Sequence, residues 1–298
     1  MGLSSKGLVK VVMLVLLAAS FAAAWAAGDV PTKFTNRDSI RNTRHNMTQG
    51  TMSTAMDPYR NNYGEVCVYC HTPHGANEAV SIPLWNRTIK ATTYTTYNEL
   101  GTTSLTQTVR QPGPNSIACL TCHDGQVAID SVINMPGSGG YNKDQKIGQS
   151  NAFLDTWNPA DAPGHMALTS GNEGCLACHS RNAGALGSRA TDFAVFVIGT
   201  DLRNDHPVGV SYPPATNTDF KRPTATRTGV SWFDNDGDQT PDTTEVRLYD
   251  SGEGYMVECA SCHDPHGVPS AGRGSQFTPT FLRVSNSGSD LCLTCHTK

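Results

Sequence analysis

The sequence predicts a mostly irregular fold, with short helices and few strands, that does without a large aliphatic core. Three observations predict it. All ten cysteines fall into five copies of one motif, Cys-x-x-Cys-His. Glycine (28) and proline (17) are plentiful, which disfavours long regular elements. The hydrophobic fraction is 38% with glycine left out, below a usual range of roughly 45–50% that counts glycine.

The motifs, numbered one to five along the chain, are Cys67/Cys70/His71, Cys119/Cys122/His123, Cys175/Cys178/His179, Cys259/Cys262/His263 and Cys292/Cys295/His296. This spacing attaches haem c. Two thiols bond to the porphyrin edge, and the adjacent histidine comes under the iron as the proximal ligand. Zinc would need the pairs to combine into closed tetrahedral sets. Neither zinc nor a disulfide framework gives a reason for a histidine after every second cysteine. The expectation is five covalent haems and a multihaem cytochrome c architecture built around a chain of them. Their apolar faces would supply the interior that the composition lacks.

The chain has ten histidines, five of them in the motifs. The other five are His45, His74, His165, His206 and His266. Five irons have five distal positions, so the supply matches the demand, and the haems read as bis-histidine with these five as distal ligands. His74 and His266 lie in matching strings, His71-Thr72-Pro73-His74-Gly75 and His263-Asp264-Pro265-His266-Gly267. A histidine three residues past the proximal ligand is poorly placed to reach the far face of the same flat ring. These two are therefore expected on neighbouring haems. Methionine is the competing distal ligand, with Met166 one case, and it would raise the haem potential.

At the N-terminus, Lys6 and Lys10 precede an apolar run from Val11 to about Ala24, and Ala24-Trp25-Ala26 fits a small-x-small cleavage site. Residues 1–26 read as a signal peptide and residues 27–298 as the pentahaem domain. The run is short for a membrane span of about 20 residues, and no later segment reads as one. An exported bacterial protein is expected, in the periplasm or at the cell surface and beyond. Of the 22 basic residues, Lys6 and Lys10 leave with the signal. Against 26 acidic residues the net charge then moves from −4 to −6. That balance disfavours nucleic acid as a partner.

The motif starts are separated by 52, 56, 84 and 33 residues. A helical turn or two is expected at each motif. Short strands are expected at Ala194–Ile198 and within the Thr- and Tyr-rich stretch Ile82–Val109, and a loop at Gly137–Gly140. The longest gap holds an acidic insertion, residues 234–245. Asp234, Asp236, Asp238, Asp242 and Glu245 fall at positions 1, 3, 5, 9 and 12 of an EF-hand-like calcium loop, and Thr240 would supply a backbone carbonyl at position 7. Gln239 replaces the usual glycine at position 6. A solvated acidic turn is the alternative to a calcium site that stiffens the insertion.

The strings Cys67-Val68-Tyr69-Cys70-His71-Thr72-Pro73-His74-Gly75, Pro83-Leu84-Trp85-Asn86-Arg87, Cys119-Leu120-Thr121-Cys122-His123-Asp124-Gly125 and Cys259-Ala260-Ser261-Cys262-His263-Asp264-Pro265-His266 resemble the doubled-motif multihaem cytochromes c of metal-reducing bacteria. Within that group the layout is most similar to the OmcE-type secreted cytochromes. The resemblance implies bis-histidine haems, a continuous haem chain and electron transfer across or outside the outer membrane. Some relatives polymerise into extracellular filaments in which a histidine of one subunit ligates a haem of the next. His45, near the mature N-terminus, is the candidate for that role here.

The function expected is electron conduction between other cytochromes, or onward to an extracellular mineral, with a homopolymer as one form of the assembly. A monomeric periplasmic shuttle is the alternative. A multihaem reductase would need one open iron. The pentahaem nitrite reductases replace one motif histidine with lysine, which no motif here does, so no catalytic residue is assigned.

Overall fold

The computed structural model describes residues 35–48, 63–134, 166–169, 174–180, 193–269 and 281–298. The signal segment, His165 and the Gly137–Gly140 loop lie outside the described residues.

Each motif sits on a short helical turn. Motifs one and three begin 3-10 turns, Cys67–Tyr69 and Cys175–Ala177. Motif two ends helix α1, Pro114–His123; motif four forms α2, Cys259–Cys262; motif five ends α3, Asp290–Cys295. The local cause is one repeated hydrogen bond. The histidine amide donates to the carbonyl of the first cysteine at 2.7 Å in motif one, 2.9 Å in motif three, 3.1 Å in motif four and 2.9 Å in motif five. Cysteines three apart on such a turn face the same side.

The helix ends are set by side chains. Pro114 occupies the first turn of α1, where a missing N–H costs nothing. At α2, Glu258 and Ser261 form a reciprocal capping box. Asp290 places a carboxylate in the first turn of α3, favourable to the helix dipole.

The gap between motifs three and four holds a five-stranded antiparallel sheet. Its strands are β1 (Val210–Ser211), β2 (Ala225–Arg227), β3 (Val230–Trp232), β4 (Arg247–Asp250) and β5 (Tyr255–Val257). Their spatial order is β1-β5-β4-β3-β2. Thr228-Gly229 closes the β2–β3 hairpin, with Arg227 opposite Val230. Gly229 takes φ 81°, which a tight hairpin turn demands and glycine allows. The acidic insertion is the β3–β4 connection. β5 runs directly into Glu258 and α2, so the sheet holds motif four in place.

The buried apolar groups are small clusters. One comprises Met47, Tyr63, Val68, Tyr69, Ala128 and Val132; another comprises Tyr94, Leu120 and Leu202. Buried polar groups tie the rest. Arg87 is 1% exposed and donates to the carbonyls of Ile129 (3.0 Å), Thr121 (3.1 Å) and Ala128 (2.9 Å).

Two expected strand regions differ. Ala194–Phe196 is a 3-10 turn. The Ile198 and Gly199 amides bond the His123 carbonyl instead of a strand partner, at 2.9 and 3.1 Å. Ile82–Val109 contains isolated bridges and no strand; the Gln111 side chain takes both the amide and the carbonyl of Tyr94. Among the described residues, no helix is long and apolar enough to cross a membrane.

Candidate haem centres

Two motif histidines share a tautomer. His71 Nδ1 meets the Pro83 carbonyl at 2.8 Å, and His123 Nδ1 meets the Phe196 carbonyl at 2.6 Å. A carbonyl only accepts, so Nδ1 carries the proton and Nε2 keeps a lone pair. Two distal candidates repeat the pattern. His206 Nδ1 donates to the Pro207 carbonyl at 3.0 Å, and His266 Nδ1 donates to Asp264 Oδ1 at 2.9 Å. An imidazole that binds metal through one nitrogen commonly donates from the other in this way.

Two pairs of rings stand at an axial spacing. The centroids of His71 and His266 are 6.2 Å apart with planes 17° from parallel. Those of His45 and His123 are 6.1 Å apart at 81°. A metal–imidazole bond of about 2 Å on each side of one iron, plus the ring itself, puts two centroids about 6 Å apart. The residues therefore fit a haem iron between each pair. His266 from the motif-four string faces the proximal histidine of motif one, so that pairing crosses between motifs.

Burial favours the neutral form of three of these rings, His45, His71 and His123, the form a ligand needs. Burial, then the neighbouring His123, lowers the pKa of His45 to about 4. Burial likewise lowers His71 and His123. His45, the candidate ligand for a haem of a neighbouring subunit, lies against His123 and Phe281 of its own chain, with centroids 6.1 and 4.9 Å away. Its position 78 residues before His123 along the chain gave no hint of that contact.

Motif five has a cavity beside it. His296, Phe220, Pro207, Tyr97 and Asp219 line a space of about 520 Å³, within the roughly 300–1,000 Å³ of small-molecule and cofactor sites. His206 feels His296: desolvation, then the His296 ring, lowers its pKa, although the residue is exposed. The His74 side chain is exposed; its carbonyl accepts from Asn134 Nδ2 at 2.9 Å. His165 lies outside the described residues.

In motif three, Phe193 stacks on His179 with centroids 3.9 Å apart and planes 7° from parallel. The two expected porphyrin-bonding residues of that motif, Cys175 and Cys178, share its turn, where the Cys178 amide donates to the Cys175 carbonyl at 3.2 Å. They differ in exposure. Cys175 is buried, whereas Cys178 is partly open to solvent. Burial pushes the Cys175 thiol up to about 11, and the nearby Cys178 adds to the rise.

The cysteines of the other motifs come together across motifs. Cys119 of motif two lies near Cys259 of motif four, a contact out of sequence order. Cys70 lies near Cys122, and Cys262 near Cys295. Buried Glu258 links α1 to α2 by accepting from the Gly113 amide and from the Ser116 hydroxyl.

The sequence offered no role for Asp264 or Arg283. Their one signal is an aspartate directly after the motif histidine, which recurs at Asp124. Both aspartates are 6% exposed. For Asp124, burial dominates and raises the pKa despite the Tyr94 hydroxyl 2.8 Å away. For Asp264, burial also opposes ionisation, but the His266 hydrogen bond and the Arg283 charge outweigh it and bring the pKa to about 2.

In the acidic loop, the carboxylates of Asp234, Asp236 and Glu245 converge within 4.8 Å, and those of Asp236, Asp238 and Asp242 form a second such group. Gln239 adopts φ 62°, the left-handed conformation that glycine usually supplies at that position. Its Nε2 donates to Asp234 Oδ2 at 3.1 Å, and the Thr240 amide donates to Asp238 Oδ1 at 2.6 Å.

A family model described as the doubled CXXCH motif matches residues 253–298, which hold motifs four and five. No curated protein matches the chain at a significant level. The doubled motif supports a multihaem c-type cytochrome, a haem-binding protein whose chemistry is electron transfer.

Proposed function

We propose that this chain is a secreted pentahaem cytochrome that conducts electrons through bis-histidine haems to acceptors outside the cell. The observation that carries the reading is the pair of imidazole pairs at 6.1 and 6.2 Å, with Nδ1 of His71, His123 and His266 engaged and Nε2 left for iron. Haem supplies a one-electron ferric/ferrous couple. The ten cysteines fix it covalently. The paired rings fill both axial positions, so electrons pass without ligand exchange and no substrate reaches the metal. That is why we read a carrier and not an enzyme.

The cross-motif pairing extends to the remaining rings by the same logic. His206 is assigned to His296, whose charge it feels. His74, in the string that mirrors the one carrying His266, is assigned to His263, and His165 to His179. The close thiols of Cys119 and Cys259 bring motifs two and four together, which favours a compact haem array over a linear one in sequence order. Donor and acceptor are other cytochromes, with a mineral as a terminal acceptor. We also propose that the acidic loop binds Ca²⁺ on the carboxylate groups at Asp234, Asp236 and Glu245. Asp236→Asn is expected to abolish a calcium-dependent rise in Tm while leaving the chelated protein unchanged; equal Tm with calcium and with chelator in the parent protein would remove the assignment.

The first test is the optical spectrum of the reduced holoprotein with and without carbon monoxide. An unchanged spectrum is expected, because every iron is six-coordinate. A shift on one haem in an isolated monomer would mean a distal histidine supplied by another copy. A shift that persists in the native assembly would restore the reductase reading. Filtration and electron microscopy of the shed fraction distinguish a filament from a shuttle.

A further inference from the structure

We infer that Asp264, held by Arg283, is a positioning residue that sets the reduction potential of the haem iron bound between His71 and His266. This rests on the ligand pairing proposed above.

Asp264 follows the proximal histidine of motif four, yet its side chain serves motif one. Oδ1 accepts from His266 Nδ1 at 2.9 Å and from the His266 amide at 3.1 Å. Oδ2 accepts from Arg283 Nη1 at 3.0 Å. The carboxylate and the guanidinium are 8% and 4% exposed, so neither charge is well screened by water. Arg283 is fixed in turn by the carbonyls of Ala260, through Nε at 3.1 Å, and of Thr243, through Nη1 at 3.3 Å. Its own pKa is lowered, first by burial and then by the nearby Arg247.

The chemistry follows from the partner of each ring. An axial imidazole that donates to an anion is more basic at its other nitrogen and favours the ferric state. His71 and His123 donate to neutral carbonyls. His266 donates to a carboxylate. With the same type of axial ligand on each iron, the site facing His266 therefore has the lower potential of the two described pairs. Arg283 moderates the effect by neutralising part of the carboxylate charge. The two residues thus act as opposed settings on one haem. They also join it to motif four, because Asp264 is bonded in sequence to His263.

The test is spectroelectrochemical titration of the holoprotein carrying Asp264→Asn. Asparagine keeps the shape and an acceptor oxygen but removes the charge. One haem is expected to shift to a more positive potential, with about a tenfold higher reduced-to-oxidised ratio at the parent midpoint, or roughly 59 mV for a one-electron couple. Asp264→Glu should restore much of the parent value. Arg283→Gln should move the same haem the opposite way, and by less when Asp264 is already asparagine. If Asp264→Asn shifts none of the potentials while all haems stay low-spin, the inference is overturned. His266→Ala separates that failure from failure of the pairing. It should open one haem to carbon monoxide. If no haem opens, the pairing falls and the role of Asp264 falls with it. If one opens and Asp264→Asn is silent, only Asp264 loses its role.

Discussion

At the residue scale, the two ring pairs differ in geometry as well as in hydrogen bonding. The planes of His71 and His266 are 17° apart, those of His45 and His123 81°. Imidazole π orbitals interact with the iron d orbitals that they overlap. Near-parallel rings lift the degeneracy of two of these orbitals, whereas near-perpendicular rings leave them almost equal. Low-temperature EPR of the oxidised protein should therefore show at least two low-spin signals. One should be rhombic, from His71/His266. The other should have a single large g feature, from His45/His123. His45→Ala should remove the second signal, leave the first and open one haem to carbon monoxide. Loss of the rhombic signal instead would reverse the assignment. Arg87 is a residue of a different kind. Arg87→Met removes a donor from three carbonyls; that of Ala128 keeps the Ser131 amide at 3.2 Å, while those of Thr121 and Ile129 lose their guanidinium partner at about 1–3 kcal/mol each, so a loss of several kcal/mol in unfolding stability is expected by denaturant titration. A loss below about 1 kcal/mol would mean that water replaces the guanidinium.

At the scale of elements, Glu258 couples the helices of motifs two and four, and its ionisation reports on that joint. Burial raises its pKa above the ordinary 4.5, and hydrogen bonds from Ser116, Gly113 and Ser251 offset this in part. With a folded pKa above the unfolded one, the folded state holds the proton more tightly. The stabilisation linked to that proton is full below about pH 4.5 and is lost as the pH rises through the folded value. Glu258→Gln has no such proton. The Tm of the parent minus that of the variant should therefore fall with rising pH across this window and then level off; a difference that rises with pH would contradict the burial argument. The joint also shows how far the sequence carries. The motif turns are legible because covalent chemistry fixes Cys-x-x-Cys-His at one spacing whatever surrounds it. Strands β1 to β5 are not, because elements of two to four residues show no usable period. The insertion at 234–245 stands out by composition, but its place as the β3–β4 connection depends on strand pairing. The pairing of His45 with His123, and that of Asp264 with Arg283, arise only when segments apart in the chain meet.

At the scale of the whole molecule, the buried apolar clusters among the described residues are small. Thiols and imidazoles of motifs one, two and four lie close to one another. Small apolar cores stabilise a fold only marginally, and ordering each residue costs about 1–2 kcal/mol in backbone entropy. On the proposed reading, porphyrin faces supply the missing apolar contact. The chain is therefore expected to need haem attachment to fold. With all ten cysteines replaced by serine, it should show no cooperative thermal transition, weak near-UV circular dichroism and rapid proteolysis. Single-motif variants should not be equivalent. Motif five joins the rest through the Phe220–His296 bridge, the Lys221 amide on the Cys295 carbonyl at 2.8 Å and the Thr297 amide on the Asp219 carbonyl at 3.0 Å. Cys292→Ser with Cys295→Ser should release that end and spare the remaining transition. The same change at Cys119 and Cys122 removes haem attachment at the junction with motif four, where Glu258 and Ser116 join the two helices. It should lower the main transition far more. Equal losses from the two variants would mean that the haems stabilise independently, and a cooperative transition in the all-serine chain would mean that protein packing alone suffices.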